Sequence, residues 1–306
     1  MGNSSQIKMP EISVLMAAYN AEATVSEAIS SVLTQSFDDL ELIVVNDGST
    51  DRTAEVLDAI VDPRIRVLHQ KNRGPAAARN YAASVSSSPW LACIDADDIW
   101  LPEKLAHQHC AVTEAHDAVL IYGWAEVADS KGKVLYNDQR PTHTGDVFER
   151  LLASNFIVSG SNTLMSRAAF IRENGFDDSL RAVEDWDLHA RLAYRATVVC
   201  TPHLVVQYRL HQNSLSTNLD LMEKSWWQAS NKLFSLEHAP KALQARSAAA
   251  FYIYLATRAL QTCSGKARLV RCLRYIGTAL RHAPASLPKV LLIASPLGAI
   301  RGWFRR

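Results

Sequence analysis

The first hundred residues alternate short apolar runs with amphipathic stretches, and this alternation constrains the fold more than any other feature. Ile12 to Met16, Leu42 to Val45, Arg66 to His69 and Trp90 to Ile94 read as strands. After the first, Val25, Ala28, Ile29, Val32 and Leu33 share one helical face, with Thr24 and Glu27 spaced as a capping box. Asp51 stands where an N-cap would start a helix through Val56, Leu57 and Ile60. The Ala-rich stretch Pro75 to Ala83 reads as a third helix, with Pro75 suited to its first turn. Strands separated by single helices imply a parallel sheet with crossover connections.

In such a sheet, ligands bind beyond the carboxyl ends of the strands. The polar residues obey that rule: Tyr19-Asn20, Asn46-Asp47 and Asp95 to Asp98 each follow a predicted strand. Asp95, Asp97 and Asp98 lie within four residues of one another. Carboxylates crowded at a buried strand end repel one another and raise each other's pKa values unless a cation lies between them. Mg²⁺ or Mn²⁺ takes oxygen ligands and usually brings phosphates, so the cluster points to a metal–diphosphate site.

At 306 residues the length suggests about two domains, or one with a long appendage. With 32 basic against 31 acidic residues, the chain lacks the basic excess of a general nucleic-acid binder, so no nucleic-acid partner is expected. Cys93, Cys110, Cys200, Cys263 and Cys272 are odd in number and unpaired in spacing. They read as small buried hydrophobes in a reducing compartment. No secretory signal is visible, and no apolar stretch reaches the roughly 18 residues of a membrane span. A cytoplasmic location follows as an expectation.

Beyond residue 118 the alternation is less regular. Val119 to Val127 and Asn162 to Met165 read as strands, Ala182 to Arg195 as a helix, and Thr197 to Cys200 and Val205 to Arg209 as short extended runs. From about 220 the pattern is helical. Arginines recur from 246 to 306, and Trp303-Phe304 beside Arg301, Arg305 and Arg306 has the composition of an interfacial membrane anchor. A packed helical appendage or a homodimer surface is the alternative.

Several segments in order resemble glycosyltransferase family 2 of the bacterial surface-polysaccharide type. They are Ile12 to Asn20, Glu41 to Asp51 (ELIVVNDGSTD), Asn72 to Asn80, and Asp95 to Asp98. Ser159 to Asn162, Gly175 to Asp178, Glu184 to Asp187 and Tyr208 to Ser216 extend the match. The resemblance implies a GT-A fold: an α/β, Rossmann-like, mainly parallel mixed sheet flanked by helices, with a helical C-terminal extension. The expected organisation is a flexible tail over 1–9, a GT-A domain over 10–217 and an extension over 218–306. The domain would divide into a nucleotide-binding half, 10–100, and an acceptor half, 101–217.

The implied reaction is inverting transfer of a sugar from a nucleotide donor, most simply a UDP-sugar, to a saccharide or polyprenyl-linked saccharide. Ala18 and Ala17 would offer backbone groups to the nucleoside, with Tyr19, Asn20 and Ala96 beside it. Tyr19 would stack on the base, and Asp47 would accept from a uracil imide. Arg79 would meet a phosphate or the acidic cluster. Asp97 would bind the metal directly, Asp95 the ribose, the metal or both, and His211 would complete the metal set as a ligand suited to Mn²⁺. Asp98 would be structural, capping the element near Pro102. Asp185 would be the general base, assisted by Glu184, with Asp187 turned away around the helix. Of the adjacent Trp226 and Trp227, one at least would be core. His107, His109, His143 and His203 read as structural or surface residues. A nucleotidyltransferase would share the sheet and carboxylates but lacks its Gly-rich phosphate loop here. An inactive sugar-binding scaffold would not need Asp97, Asp185 and His211 together.

Overall fold

A computed structural model describes residues 9–138, 140–211 and 214–286. The first half runs β1 (Ile12–Ala18), α1 (Val25–Leu33), β2 (Leu40–Asp47), α2 (Thr53–Asp58), β3 (Ile65–Gln70), α3 (Pro75–Val85) and β4 (Trp90–Asp95). It continues through β5 (Ile99–Trp100), α4 (Lys104–Glu114), β6 (Ala118–Asp129), β7 (Val134–Asn137), α5 (Phe148–Ala153), β8 (Leu164–Ser166), α6 (Arg167–Arg172), α7 (Glu184–Ala193) and β9 (Thr197–Leu210). Three helices follow towards the end of the described residues: α8 (Leu219–Leu233), α9 (Leu243–Thr262) and α10 (Gly265–His282).

The strands form one nine-stranded sheet in the order β3-β2-β1-β4-β8-β6-β9-β5, with β7 on the flank of β6. The segment β3-β2-β1-β4 is parallel, as the sequence predicts, whereas β8 is antiparallel to both β4 and β6. Successive side chains of a strand point to opposite faces, and the core divides accordingly. Val14, Met16, Leu42, Val44 and Ile94 pack with the buried face of α1, while Leu15, Ile43, Val45, Leu91 and Cys93 pack with the alanines of α3. Burial on both faces explains the near-continuous apolar runs.

The second cluster also takes in α5, α7, α8, α9 and α10. Trp226 stacks between Trp186 and Phe251, with ring centroids 5.8 and 4.7 Å away. The division expected at 217/218 therefore crosses a shared hydrophobic core.

Local expectations differ at four places. Thr24 makes no capping bond through its side chain, and Glu27 instead pairs with Arg209 of β9 at 2.5 Å. The two runs at 197–200 and 205–209 form one strand, β9. Register shifts against β6 near Tyr122 and Trp124 absorb the Pro202 interruption. The stretch 160–162 is a 3₁₀ turn, and the strand begins only at Leu164. Of the five free thiols only Cys93 and Cys272 are buried. No helix among the described residues is long and apolar enough to cross a membrane. The apolar run 287–300, the basic aromatic end at 301–306, and residues 1–8 of the expected tail lie outside the described residues.

Candidate active site

Because β1, β2 and β4 run parallel, their last residues reach one edge of the sheet. There they line a cavity of about 1220 Å³, together with residues from α3, α7, β9, α8 and α9. Its first wall is the pair of loops after β1 and β2. Asn20, in the left-handed region at φ 49°, accepts from the Thr50 backbone N–H at 2.8 Å, and its own N–H donates to Ser49 Oγ at 3.1 Å. Asp51 accepts from the Thr53 N–H at 2.9 Å and Oγ1 at 2.6 Å, but it stands one residue before the N-cap of α2, which is Arg52 and makes no side-chain capping bond. Gly48, at φ 70°, passes so close to the next loop that a Cβ would lie 2.7 Å from the Asn72 nitrogen, which leaves glycine as the residue that fits.

Tyr19 is half exposed, its ring available to a flat ligand. Ala18 and Asp47 are buried at the same wall. Both Asp47 oxygens are engaged: Oδ1 accepts from Gln70 Nε2 at 2.7 Å and the Arg73 N–H at 2.8 Å, and Oδ2 accepts from the Gly74 N–H at 2.8 Å. The carboxylate therefore organises the turn that starts α3 while it faces the cavity.

The acidic cluster divides by hydrogen bonding. Asp98 is fully buried. Its Oδ2 accepts from Ser161 Oγ at 2.5 Å and Ser159 Oγ at 3.2 Å, and its Oδ1 accepts from the Arg209 N–H at 3.0 Å. It is structural, as expected, but it ties the 159–162 turn to β9 instead of capping an element near Pro102. Asp97 lies half-buried with Oδ2 2.5 Å from His211 Nε2, and the contact raises the His211 pKa. Asp95 shares Oδ1 with the Arg79 guanidinium. Burial, with Asp97 nearby, lifts the pKa of Asp95 even beside Arg79, and burial with Asp97 and Asp95 lifts that of Asp98 far more.

The three carboxylates lie within 4.8 Å of one another. Crowded acids that hold their protons tightly mark a site short of positive charge. With Asp98 spent on structure, Asp95, Asp97 and His211 remain as an oxygen-plus-imidazole donor set. It fits Mn²⁺ or Mg²⁺.

The loop before α7 brings Glu184 and Asp185 to the same cavity. Val183 adopts the left-handed conformation at φ 57°, rare for a β-branched residue, and so turns the chain directly into the helix. Glu184 accepts from Arg79 at 2.8 Å, so one buried guanidinium joins Asp95 on β4 to Glu184 on α7. Of the partners the sequence allowed for Arg79, the structure pairs it with Asp95 of the acidic cluster. Among the described residues Asp185 accepts only from the Trp186 N–H, at 2.7 Å, and burial followed by the Glu184 charge pushes its pKa up to about 7. A general base is most effective with a pKa near the working pH.

Asp187 is turned away, fully buried on Arg191 at 2.6 Å and Lys232 at 3.3 Å. His107 and His203 stack on each other, and His109 and His143 pack on Phe37 and Phe156; the four histidines do not line the cavity. Trp226 is core, and Trp227 donates to Tyr252 Oη at 3.0 Å. Sequence reasoning missed the wall built by Tyr136, Phe156, Tyr208, Tyr254 and Arg258. Tyr208 lies in a segment that resembles the family, but nothing local marks the others, and the five come from four separate elements or loops.

The profile of the family "Glycosyl transferase family 2" matches residues 13–172. The chain belongs to glycosyltransferase family 2. An uncharacterized glycosyltransferase of Haemophilus influenzae is 32% identical over 222 residues, 68% of either chain. A putative glycosyltransferase EpsH of Bacillus subtilis is 28% identical over 68% of this chain and 63% of its own length. An uncharacterized glycosyltransferase of Rickettsia bellii is 27% identical over 69% of this chain, and only 31% of its length is matched. Among solved structures, S. aureus TarS 1-349 in complex with UDP-GlcNAc superposes with a TM-score of 0.66 at 16% identity, over 96% of this chain and 88% of that one. The mannosyltransferase PcManGT of Pyrobaculum calidifontis, in complex with GDP-Man and Mn²⁺, gives 0.63 at 16%, over 97% and 84%. At such identities the likeness is one of fold: this family member has the GT-A architecture, followed by a helical C-terminal region.

Proposed function

We propose that the protein is an inverting, metal-dependent transferase that moves a sugar from a nucleoside diphosphate, most simply a UDP-sugar, to a hydroxyl of a saccharide or polyprenyl-linked saccharide. The observation that carries the proposal is Asp185. It is a carboxyl with a pKa near 7, with only a backbone donor on it, in the cavity that also holds the Asp95–Asp97–His211 set. Inversion needs a base at the acceptor hydroxyl. As the acceptor oxygen bonds to the anomeric carbon, the bond to the diphosphate breaks, the diphosphate leaves with the electron pair, and Asp185 takes the hydroxyl proton.

Tyr19 stacks on the base, while Ala18, Asn20, Asp47 and Ala96 line the nucleoside end. Asp97, Asp95 and His211 hold the cation, whose contribution when bound is charge balance on the leaving diphosphate. Arg79 holds Asp95 and Glu184 in position instead of reaching the nucleotide. The UDP complex of TarS supports a uridine donor, and the GDP-Man and Mn²⁺ complex of the mannosyltransferase supports the general donor class and the metal.

Membrane-bound acceptors at the inner face of the cell membrane suit α10. It exposes Leu269, Val270 and Leu273 beside Lys266 and Arg268. The test is nucleotide release from a panel of UDP- and GDP-sugars with and without Mn²⁺. Release that depends on Mn²⁺ is expected. No release from any donor, together with no nucleotide binding by calorimetry, overturns the reading.

A further inference from the structure

Three arginines are buried among the described residues, and two of them are neutralised. Arg79 pairs with Asp95 and Glu184, and Arg191 pairs with Asp187. The third, Arg258 on α9, is 4% exposed, lines the cavity, and has no carboxylate partner among the described residues. Its Nη1 donates to Gln261 Oε1 at 3.1 Å and its Nη2 to Ser216 Oγ at 3.0 Å, both neutral acceptors. Its Nε has no hydrogen-bond partner among the described residues.

A guanidinium carries five N–H donors, so part of its capacity is unused. A buried cation without a counter-charge is costly and persists where an anion completes it. Its surroundings favour an anion as well. Arg258 acts on the Tyr136, Tyr208 and Tyr254 hydroxyls, which burial keeps protonated. Through Ser216 it contacts the turn that follows His211, whose N–H donates to Ser214 Oγ at 3.2 Å. Arg258 therefore lines the same cavity as the candidate metal set, on the wall formed by the C-terminal helices.

We propose that Arg258 binds a phosphate group carried into the cavity by a substrate. The planar fork of arginine suits a phosphate, with two parallel N–H donors on two oxygens. The group belongs either to the donor diphosphate or to a phosphorylated acceptor. The inference rests on the donor reading above for the first source and is independent of it for the second.

Calorimetry in Mn²⁺ buffer with UDP, uridine and glycerol 3-phosphate separates the cases, using wild type, Arg258→Gln and Arg258→Lys. If the phosphate is the donor's, R258Q weakens UDP about tenfold or more, the scale of a charged hydrogen bond, and leaves uridine unchanged. If it is the acceptor's, R258Q leaves UDP unchanged and loses glycerol 3-phosphate, tested on the UDP-loaded and the free protein. R258K recovers part of the loss in either case. The ligand-free R258Q protein keeps or gains melting temperature, because the charge removed had no partner; a merely structural arginine would lower it. R258Q binding both phosphates as wild type does overturns the proposal, as does a wild type that binds neither. A wild type that binds glycerol 3-phosphate through Arg258 but not UDP overturns only the donor reading.

Discussion

Asp185→Asn tests the proposed chemistry at the group that takes the proton. Burial and the Glu184 charge raise the Asp185 pKa from its ordinary 3.8 to about 7, so about half of the molecules carry the base form at neutral pH. Below that, the ionised fraction falls about tenfold per pH unit, and kcat/KM should fall with it and level off above about pH 8. The amide keeps the shape but cannot accept the proton. The expected loss in kcat is about 10²–10⁴-fold, or about 3–5 kcal/mol of barrier, while nucleotide affinity is retained. Glu184→Gln removes the charge that lifts Asp185 and releases Arg79 to act on it. Both changes favour the ionised carboxylate, so the acid limb should move to lower pH.

Stability gives an independent check. A carboxyl whose pKa is raised on folding contributes stability below its unfolded value of 3.8, and loses it as pH rises through about 7. D185N lacks that dependence, so its melting temperature relative to wild type should rise between pH 4 and pH 8. The assays are pH–rate profiles of nucleotide release and thermal melts across that range. A D185N enzyme within about tenfold of wild-type kcat, below the scale of general-base catalysis, would refute the assignment. So would an acid limb that E184Q leaves in place.

Ser161→Ala removes the 2.5 Å donor to Asp98 and the acceptor of the Asp95 N–H at 2.9 Å; it should cost about 1–3 kcal/mol in urea unfolding, and a neutral result would contradict the role given to Asp98. His211→Ala should weaken Mn²⁺ binding in the presence of UDP by about tenfold or more, the scale of a lost metal-site partner, and equal calorimetric affinity would remove His211 from the set. Replacing Leu269, Val270 and Leu273 with Asn should leave the fold intact, because they are 61%, 65% and 58% exposed. It should abolish co-sedimentation with anionic phosphatidylglycerol vesicles, and unchanged sedimentation would exclude α10 as the contact.

What was legible in the sequence was local. The strand ends at Tyr19-Asn20, Asn46-Asp47 and Asp95 to Asp98 announced themselves because an apolar run stops at a polar group, and the parallel order then brings them to one edge. The carboxyl pair Glu184-Asp185 and His211 came from the family pattern, and the fold brings them to the same cavity. What was not legible depends on partners far along the chain. Arg79 meets Glu184 across 105 residues, and Ser161 meets Asp98 across 63. Spacing cannot show that one aspartate of a cluster has both oxygens occupied while its neighbour does not. The sequence marks the C-terminal helices as an extension and leaves open whether a membrane, a packed appendage or a second copy covers them, because amphipathic periodicity reports a buried face, not what covers it. Here it is the sheet's own helical layer and the cavity wall.

The division of labour among the acids follows from counting donors. Asp98 has three and no cavity role; Asp95 gives one oxygen to Arg79; Asp97 has His211. In the first turn of α7 the helix dipole favours negative charge while burial opposes it. Glu184 and Asp185 share that turn, so their fates are set by the next interaction available. Arg79 reaches and pairs with Glu184, and Asp185 is left, among the described residues, with a single backbone donor beside Glu184. The same guanidinium that anchors the acidic cluster to α7 thus leaves one carboxyl uncompensated, with a pKa where it can take a proton at neutral pH. In the proposed mechanism, one buried arginine joining the helix of the base to the strand end of the cation site would keep the two ends of an in-line reaction in fixed register.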